Sequence, residues 1–234
     1  MIDSHPRVPP PTNEPVRAYA PDDAARAELK AAIHNLERER LDIPLLIGGD
    51  RQKGEGGRFE VVEPHRHHHP LATVHGANAA QVQRAIHSAM AVKDDWATTP
   101  FHRRAAIFLR AADLLATRYR SVVNAATLLG QSKTAYQAEI DAACESIDFL
   151  RFNTYFGQSI LETQPQSAPQ TWNVTDYRPL DGFVFAVAPF NFTAIALNLC
   201  TAPALMGNVV LFKPAPAATL SNWFLMEVLR EAGL

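Results

Sequence analysis

Two apolar runs, separated by a helix-like segment, dominate the pattern of hydrophobic positions in the last quarter of the chain. The first run extends from Phe183 to Ala188 and the second from Val209 to Phe212. Both runs are apolar throughout, as is typical of parallel strands that are buried on both faces. The small and apolar residues between them end near Gly207 and predict a helix. The pattern therefore predicts a β-α-β unit of an α/β fold.

The preceding residues predict short strands among amphipathic helices. Residues 1–20 are rich in proline and predict an extended arm. The first predicted helix runs from Pro21 to about Arg40, with Asp22 and Asp23 in its first turn, and the second runs from the N-cap Asn78 to about Trp96. A third runs from Phe101 to Tyr119, and a short fourth helix ends after Leu129, at Gly130. A long helix is predicted from Thr134 to about Tyr155, and the last begins at Thr219 or Ser221. The predicted strands are Leu45 to Ile47, Arg58 to Val62, Leu71 to Val74 and an exposed or edge strand from Trp172 to Arg178.

Composition and charge narrow the class of protein. Hydrophobic residues make up 47% of the 234 residues, which is enough for a core, and the net charge of −2 gives no electrostatic case for binding nucleic acid. No apolar run reaches the roughly 18 residues that a membrane span needs. The start lacks a signal pattern, and Cys144 and Cys200 occur in unrelated contexts. We therefore expect a cytoplasmic protein with reduced thiols and no membrane partner.

A group of histidines is the one metal-like feature of the sequence. His65, His67, His68 and His69 lie between two predicted strands and are flanked by prolines. Adjacent residues of an extended chain point to opposite sides, so a shared ion is awkward. We expect a solvated turn and no metal site.

Two polar residues follow the predicted parallel strands and are the first candidates for chemistry. Asn191 lies in the turn after the first strand, and Lys213 ends the second. Ligands of such sheets bind outside the carboxyl ends of the strands. The amide of Asn191 is a neutral hydrogen-bond donor and Lys213 is a cation. Such a pair suits a nucleotide and an oxyanion that develops during a reaction. From position alone, Asn191 serves equally well to satisfy backbone groups in the turn, and Lys213 could be an ordinary surface lysine.

Several sequence blocks, in order, resemble the aldehyde dehydrogenase superfamily, and within it the Δ1-pyrroline-5-carboxylate (glutamate-γ-semialdehyde) dehydrogenases. The resemblance covers the chain from about Asn13 to Leu234. The blocks that carry it are Asn13 to Val16, Gly130 to Thr134, Gln137 to Ala143, Arg151 to Asn153, Pro189 to Phe192, Ala202 to Val210, and Lys213 with Pro214.

The resemblance implies an NAD site. Lys213 is expected to hold the adenosine ribose, while Ala188, Pro189 and Phe190 are expected to contact the nicotinamide half of the cofactor. Pro216 stands where related enzymes often have an acidic residue that also contacts the ribose. A proline has no such group, so the preference for NAD over NADP stays open.

The resemblance also implies catalytic and substrate residues. Asn191 is expected to donate its side-chain N–H to the aldehyde oxygen, where negative charge develops during thiolate attack. Phe192 is expected to face the aldehyde tunnel, although it could equally be a core aromatic. Glu145 is expected at the substrate entrance, although without the resemblance it reads as a solvated helical acid. Cys144 and Cys200 are not expected to be nucleophiles, because neither has an electropositive, accessible setting.

Four segments and one activity follow from the resemblance. The expected activity is NAD-dependent oxidation of glutamate γ-semialdehyde to glutamate by a homo-oligomer. Family members are roughly twice as long, so the nucleophile and general base are expected beyond Leu234 and this chain is expected to be an inactive fragment. The alternatives are an aldehyde dehydrogenase for another substrate and a non-catalytic nucleotide-binding remnant.

The expected segments are the arm (1–20), a helical and short-strand part of the cofactor domain (21–171), an oligomerisation-flap strand (172–180) and the first β-α-β-α of an incomplete Rossmann-type sheet (181–234).

Overall fold

The computed structural model describes residues 6–234, which alternate helices with short strands. Its helices are α1 (Ala24–Arg38), α2 (Ala79–Ala91), α3 (Lys93–Thr98), α4 (Phe101–Leu114), α5 (Arg120–Gln131), α6 (Ala135–Ala138), α7 (Glu145–Glu162), α8 (Thr193–Leu205) and α9 (Thr219–Ala232). Its strands are β1 (Leu41–Ile43), β2 (Leu45–Ile47), β3 (Asp50–Gln52), β4 (Arg58–Glu63), β5 (Arg66–His75), β6 (Val184–Val187) and β7 (Val210–Lys213). Two π-helical segments, Leu115–Tyr119 and Glu139–Cys144, continue α4 into α5 and α6 into α7.

Two hydrophobic clusters organise these elements. The larger one packs α4, α7, α8 and α9 together around Phe108, Leu115, Ile147 and Leu225, all fully buried. The smaller one packs α1 and α5 against a three-stranded sheet in the order β1-β5-β4. Helix α5 contributes to both clusters and is therefore packed on two sides.

The predicted β-α-β unit is confirmed. Strands β6 and β7 pair in parallel, with Val184 opposite Val210 and Val187 opposite Lys213. Helix α8 connects them and packs on both. The prediction that both faces of these strands are buried is wrong for the described residues, since Phe185 is 59% and Val187 50% exposed. In residues 6–234 the sheet has only these two strands, and α8 covers one face.

Several helix boundaries differ from the predicted ones. Asp23 is the N-cap of α1 and accepts from the Ala25 N–H, so the two aspartates precede the helix. Helix α5 extends past Gly130 to Gln131, and its C-cap Ser132 adopts a left-handed conformation (φ 52°). The helix predicted to end near Tyr155 continues to Glu162 because its last turns pack against α4 and α8. The N-cap at Asn78 is confirmed, and the structure adds a capping box with Gln81.

The strands also differ from expectation. The three-residue strands β1 and β3 were not predicted, because charged residues (Asp42, Asp50 and Arg51) interrupt any apolar run there. Residues 172–180 contain no strand: Trp172 is 88% exposed, and no neighbouring strand pairs with this segment in the described part of the chain. His67, His68 and His69 lie in β5 and only His65 in the turn, so the solvated turn is shorter than predicted.

Candidate functional site

The turn between β6 and α8 presents Asn191 at the carboxyl end of the parallel strands. Strand β6 ends at Val187, and Ala188, Pro189 and Phe190 lead to Asn191, two residues before α8 begins. Asn191 is exposed, and its side chain has no hydrogen-bond partner among residues 6–234. Its amide is therefore available to a ligand rather than committed to the turn.

A buried network of hydroxyl groups fixes the start of α8. The Thr193 hydroxyl lies 2.8 Å from the Thr127 hydroxyl and 3.0 Å from the Ser221 hydroxyl, and it accepts from the Gln131 amide at 2.8 Å. These partners come from α5 and α9, so three helices meet at the residue that follows the Asn191–Phe192 turn. The position of Asn191 is consequently set by the core.

The residues expected to bind the cofactor lie together on the same edge. The Ala188 N–H donates to the Lys213 carbonyl oxygen at 3.0 Å, which places the Ala188–Phe190 turn beside the end of β7. Lys213 and Phe190 are exposed, and the Lys213 ammonium has no acidic partner in the described residues. Ala188 is buried, so only its backbone is available to a ligand.

A cavity of about 690 Å³ brings together the two residues that the resemblance assigned to substrate. Glu145 of α7 and Phe192 both line it, although they are 47 positions apart in the sequence. Three arm residues complete one wall, and sequence reasoning assigned them no role. They are Asn13, Glu14 and Val16.

The carboxylates of this cavity differ in how they are paired. Asp148 accepts from the Asn13 amide and the Glu14 N–H, both at 2.7 Å. Glu14 pairs with Arg120 and with Arg151. Glu145 has no hydrogen-bonding or ionic partner within residues 6–234.

Burial raises the pKa of the Glu145 carboxyl, and the charge of Asp141 adds to this increase, whereas Lys133 opposes it. A cation bound in the cavity would lower the pKa of Glu145 again, because it favours the ionised carboxylate. Glu145 is therefore suited to a ligand that carries an ammonium group.

Lys133 connects the acidic and aromatic sides of the cavity. Its Nζ lies 2.5 Å from Asp141 Oδ2 and 3.9 Å from the centroid of the Phe192 ring. Sequence reasoning noted the block from Gly130 to Thr134 but gave Lys133 no role. Asp141 is only eight positions away in the sequence, whereas Phe192 is brought to Lys133 by the fold.

The arm is held against α5 and α7 by buried charges. Arg120 is 2% exposed, pairs with Glu139 and Glu14, and donates to the Pro15 carbonyl oxygen at 2.7 Å. Glu139 also accepts from the Tyr19 hydroxyl at 2.7 Å and from the Arg17 N–H at 2.8 Å. Each charge therefore has several partners, and the arm supplies many of them.

Neither cysteine has the surroundings of a nucleophile. Burial raises the pKa of the Cys200 thiol to about 12, and the thiol lies 3.2 Å from the Leu197 carbonyl oxygen inside α8. Burial and the charge of Glu139 raise the pKa of the Cys144 thiol to about 12. A reactive thiol needs the opposite shift.

The histidine group surrounds a buried carboxylate. Glu63 is fully buried and pairs with Arg66 and with His69, each at 2.8 Å, while His65 lies 3.2 Å away. His65 also contacts the Ser132 hydroxyl at 2.7 Å. The described residues contain no set of three or more side chains arranged to hold a metal ion. They also contain no helix long and apolar enough to cross a membrane.

Comparison with known proteins gives a consistent set of similarities. The profile of the aldehyde dehydrogenase family matches residues 51–234. The mitochondrial Δ1-pyrroline-5-carboxylate dehydrogenase of Dictyostelium discoideum is 47% identical over 228 residues, which are 97% of this chain and 41% of that protein. The human mitochondrial enzyme of the same name is 43% identical, over 95% of this chain and 39% of its own length.

Solved structures are similar in backbone as well. The Δ-pyrroline-5-carboxylate dehydrogenase of Mycobacterium tuberculosis, crystallised with NAD, has a TM-score of 0.98 and 53% identity, covering 100% of this chain and 44% of that one. A 1-pyrroline-5-carboxylate dehydrogenase from Thermus with bound NAD has a TM-score of 0.89 and 26% identity, covering 97% of this chain and 44% of that one. The chain spans less than half the length of the relatives it matches.

Proposed function

This chain belongs to the aldehyde dehydrogenase family, and on that premise we propose that it supplies the cofactor edge and the substrate cavity of an enzyme that oxidises glutamate γ-semialdehyde to glutamate with NAD. The names of the Dictyostelium and human relatives support the substrate, and the NAD-bound mycobacterial structure supports the cofactor. Cytoplasmic location stays a prediction, because several relatives are named as mitochondrial.

The single observation that carries this proposal is the convergence at the cavity. The unpaired carboxylate of Glu145 and the ring of Phe192 line one cavity, and Phe192 is the neighbour of the exposed Asn191. Glutamate γ-semialdehyde has an ammonium group for the carboxylate and a carbonyl oxygen for an amide donor. A general hydrophobic aldehyde site would not need the half-buried, unpaired carboxylate of Glu145.

The residues of this chain act by orientation and by charge. Glu145 attracts the substrate ammonium, Phe192 excludes water, and the Asn191 N–H donates to the carbonyl oxygen as negative charge develops there. Such a preorganised donor is typically worth about 2.7–4 kcal/mol in the barrier. The nucleophilic cysteine and the general base belong, in this proposal, to the part of the relatives' length that the chain does not cover.

The cofactor edge fits a dinucleotide. The ammonium of the exposed Lys213 donates to the ribose hydroxyls, and the Pro189–Phe190 turn provides an apolar surface. Both lie at the carboxyl ends of the strands, where parallel sheets bind nucleotides. NAD supplies the hydride acceptor when bound. The neutral Pro216 begins a 3₁₀ turn three residues after Lys213 and has no acidic group for the ribose, so this position does not favour NAD over NADP.

The test joins residues 1–234 to the part of the mycobacterial relative that follows the matched region. We expect this fusion to produce NADH from glutamate γ-semialdehyde, and the 234-residue chain alone to produce none above its Cys200→Ala variant. Absence of activity in a folded fusion would contradict the proposal. A higher kcat/KM for simple alkyl aldehydes would support the alternative of another substrate.

The Asn191→Ala variant of the fusion tests the oxyanion role. We expect kcat to fall by about 10²–10³ with NAD binding nearly intact. The matched control is Asn35→Ala, which removes an exposed asparagine from α1, far from the turn in the sequence. A kcat within threefold of the parent fusion would remove the role of Asn191.

A further inference from the structure

We propose that Lys133 is a positioning and specificity-determining residue: it holds the Phe192 ring and pairs with Asp141, so that Glu145 is the cavity carboxylate left without a hydrogen-bonding or ionic partner in the described chain. This inference rests on the proposed function of the cavity. It assigns a role to a residue that neither touches the expected cofactor edge nor belongs to the proposed oxyanion site.

The backbone around Lys133 is fixed on both sides. Ser132 ends α5 in a left-handed conformation (φ 52°), and its hydroxyl lies 2.7 Å from His65 Nδ1 in the β4–β5 turn. Thr134 is the N-cap of α6, in a capping box with Gln137. Lys133 thus emerges from a short link between two anchored residues, and its side chain starts from a defined place.

The side chain of Lys133 is itself largely withdrawn from water. It is 14% exposed, and the side chain of its partner Asp141 is 21% exposed. The ammonium lies 3.9 Å from the centroid of the Phe192 ring. A cation–π contact is stronger at a desolvated site than at an exposed one, so this contact restrains the ring. Phe192 adjoins Asn191, so the restraint extends to the proposed oxyanion donor.

The carboxylates around the cavity show why the Lys133 ammonium matters. Glu14 pairs with two arginines, Asp141 pairs with Lys133, and Asp148 accepts from an amide and a backbone N–H. Glu145 is left without a partner in the described chain. Removing the Lys133 charge would expose Asp141 as a second negative charge beside Glu145. The cavity would then favour cationic ligands more strongly and discriminate less well in favour of a zwitterion such as glutamate γ-semialdehyde.

The kinetic test compares two aldehydes of similar size in the active protein that contains the chain: 4-aminobutanal, which carries an ammonium group, and the neutral pentanal. In Lys133→Met, we expect the ratio of kcat/KM for 4-aminobutanal to that for pentanal to rise about tenfold, the size of effect expected for one extra charge in a partly screened cavity. Lys133→Met with Asp141→Asn should return the ratio to within about threefold of the parent. An unchanged ratio in Lys133→Met, or no return in the double variant, would overturn the proposal.

A second kinetic readout isolates the restraint on the ring. We expect Lys133→Met to lower kcat for both aldehydes by about fivefold, and to lower it no further when Phe192→Leu is already present. Lys133→Arg should preserve kcat, because a guanidinium also stacks on an aromatic ring. The matched control is Lys30→Met on exposed α1, which should change neither quantity. Independent, multiplying losses at Lys133 and Phe192 would contradict the restraint.

A measurement without turnover separates this inference from the proposed function. In the fusion protein labelled with ¹³C at its glutamate carboxyls, the Glu145 signal is identified from the Glu145→Gln variant. We expect Lys133→Met to raise the pKa of Glu145, since the opposing cation is lost and Asp141 is uncompensated. An unshifted titration would show that Lys133 does not set this charge. A shifted titration in a fusion protein that oxidises no aldehyde would leave the Lys133 inference standing while the proposed function fails.

Discussion

Asn191 and Lys213 reach the same sheet edge from different elements and have different surroundings. Asn191 lies in a turn that the buried hydroxyl network around Thr193 fixes in place. Lys213 is the last residue of β7, and its carbonyl oxygen accepts from the Ala188 N–H. Under the proposed function, Asn191 is placed for charge that develops during the reaction, and Lys213 for the ribose hydroxyls of the cofactor.

At the residue scale, this difference predicts a separation of kinetic effects. In the active fusion, Lys213→Ala should raise the KM for NAD more than it lowers kcat, because a ribose contact is made in the ground state as well as in the transition state. Steady-state kinetics with varied NAD measures both constants. The control is Lys30→Ala, and a loss confined to kcat would assign Lys213 to the chemical step instead.

At the element scale, the arm and the π-helical segments determine what surrounds the cavity. Burial raises the pKa of the Glu139 carboxyl, but hydrogen bonds from Arg120, Tyr19 and the Arg17 N–H outweigh it and hold the pKa below its usual range. Glu139 begins the second π-helical segment, which also carries Asp141 and Cys144. A change at Glu139 therefore affects both the arm and the cavity wall.

Glu139→Gln should lower the free energy of unfolding by about 3–5 kcal/mol at neutral pH, because it leaves the buried Arg120 with less compensation. A carboxyl whose pKa is depressed in the folded state stabilises the protein above its unfolded pKa of about 4.3, and this stability is lost as pH falls through the lower folded value. The difference between parent and variant should therefore shrink in acid.

Denaturant unfolding at pH 7 and near pH 3 measures this difference. Glu162→Gln at the exposed end of α7 is the matched control and should cost little at either pH. An equal loss at both pH values would mean that the charge of Glu139 is not what stabilises the arm.

Sequence reasoning succeeded where the determining interactions are local. The β-α-β unit, the N-cap at Asn78 and the start of α9 follow from periodicity and capping residues. It missed the left-handed Ser132 and the π-helical segments, for which the sequence carries no comparable local signal. Site residues came from the motif blocks, and Lys133 was missed because its contact with the Phe192 ring is made only in the folded chain.

At the scale of the whole molecule, one side of the β6–β7 sheet is apolar and exposed. Phe185 and Val187 of β6 lie on it, and Phe190 follows in the next turn with 67% exposure. Trp172 and Leu180 of the irregular segment are exposed as well. Apolar surface next to open strand edges favours association with other chains.

The isolated chain should therefore self-associate or remain loosely packed. Light scattering across a concentration series should give an average mass that rises with concentration. Phe185→Gln with Val187→Thr should reduce this rise, whereas Phe59→Gln on the exposed face of β4 should not. A constant monomer mass together with a cooperative thermal transition would contradict the prediction.

The arm has a further consequence for the order in which the protein is made. Its partners Arg120, Glu139 and Arg151 are translated more than 100 residues after Glu14. At a synthesis rate of about 5–20 residues per second, roughly 5–30 seconds pass between the synthesis of the arm and that of the residues it contacts. Its proline-rich, extended sequence offers little to bury during that interval. The arm is thus made before the residues that it contacts and reaches its native contacts late.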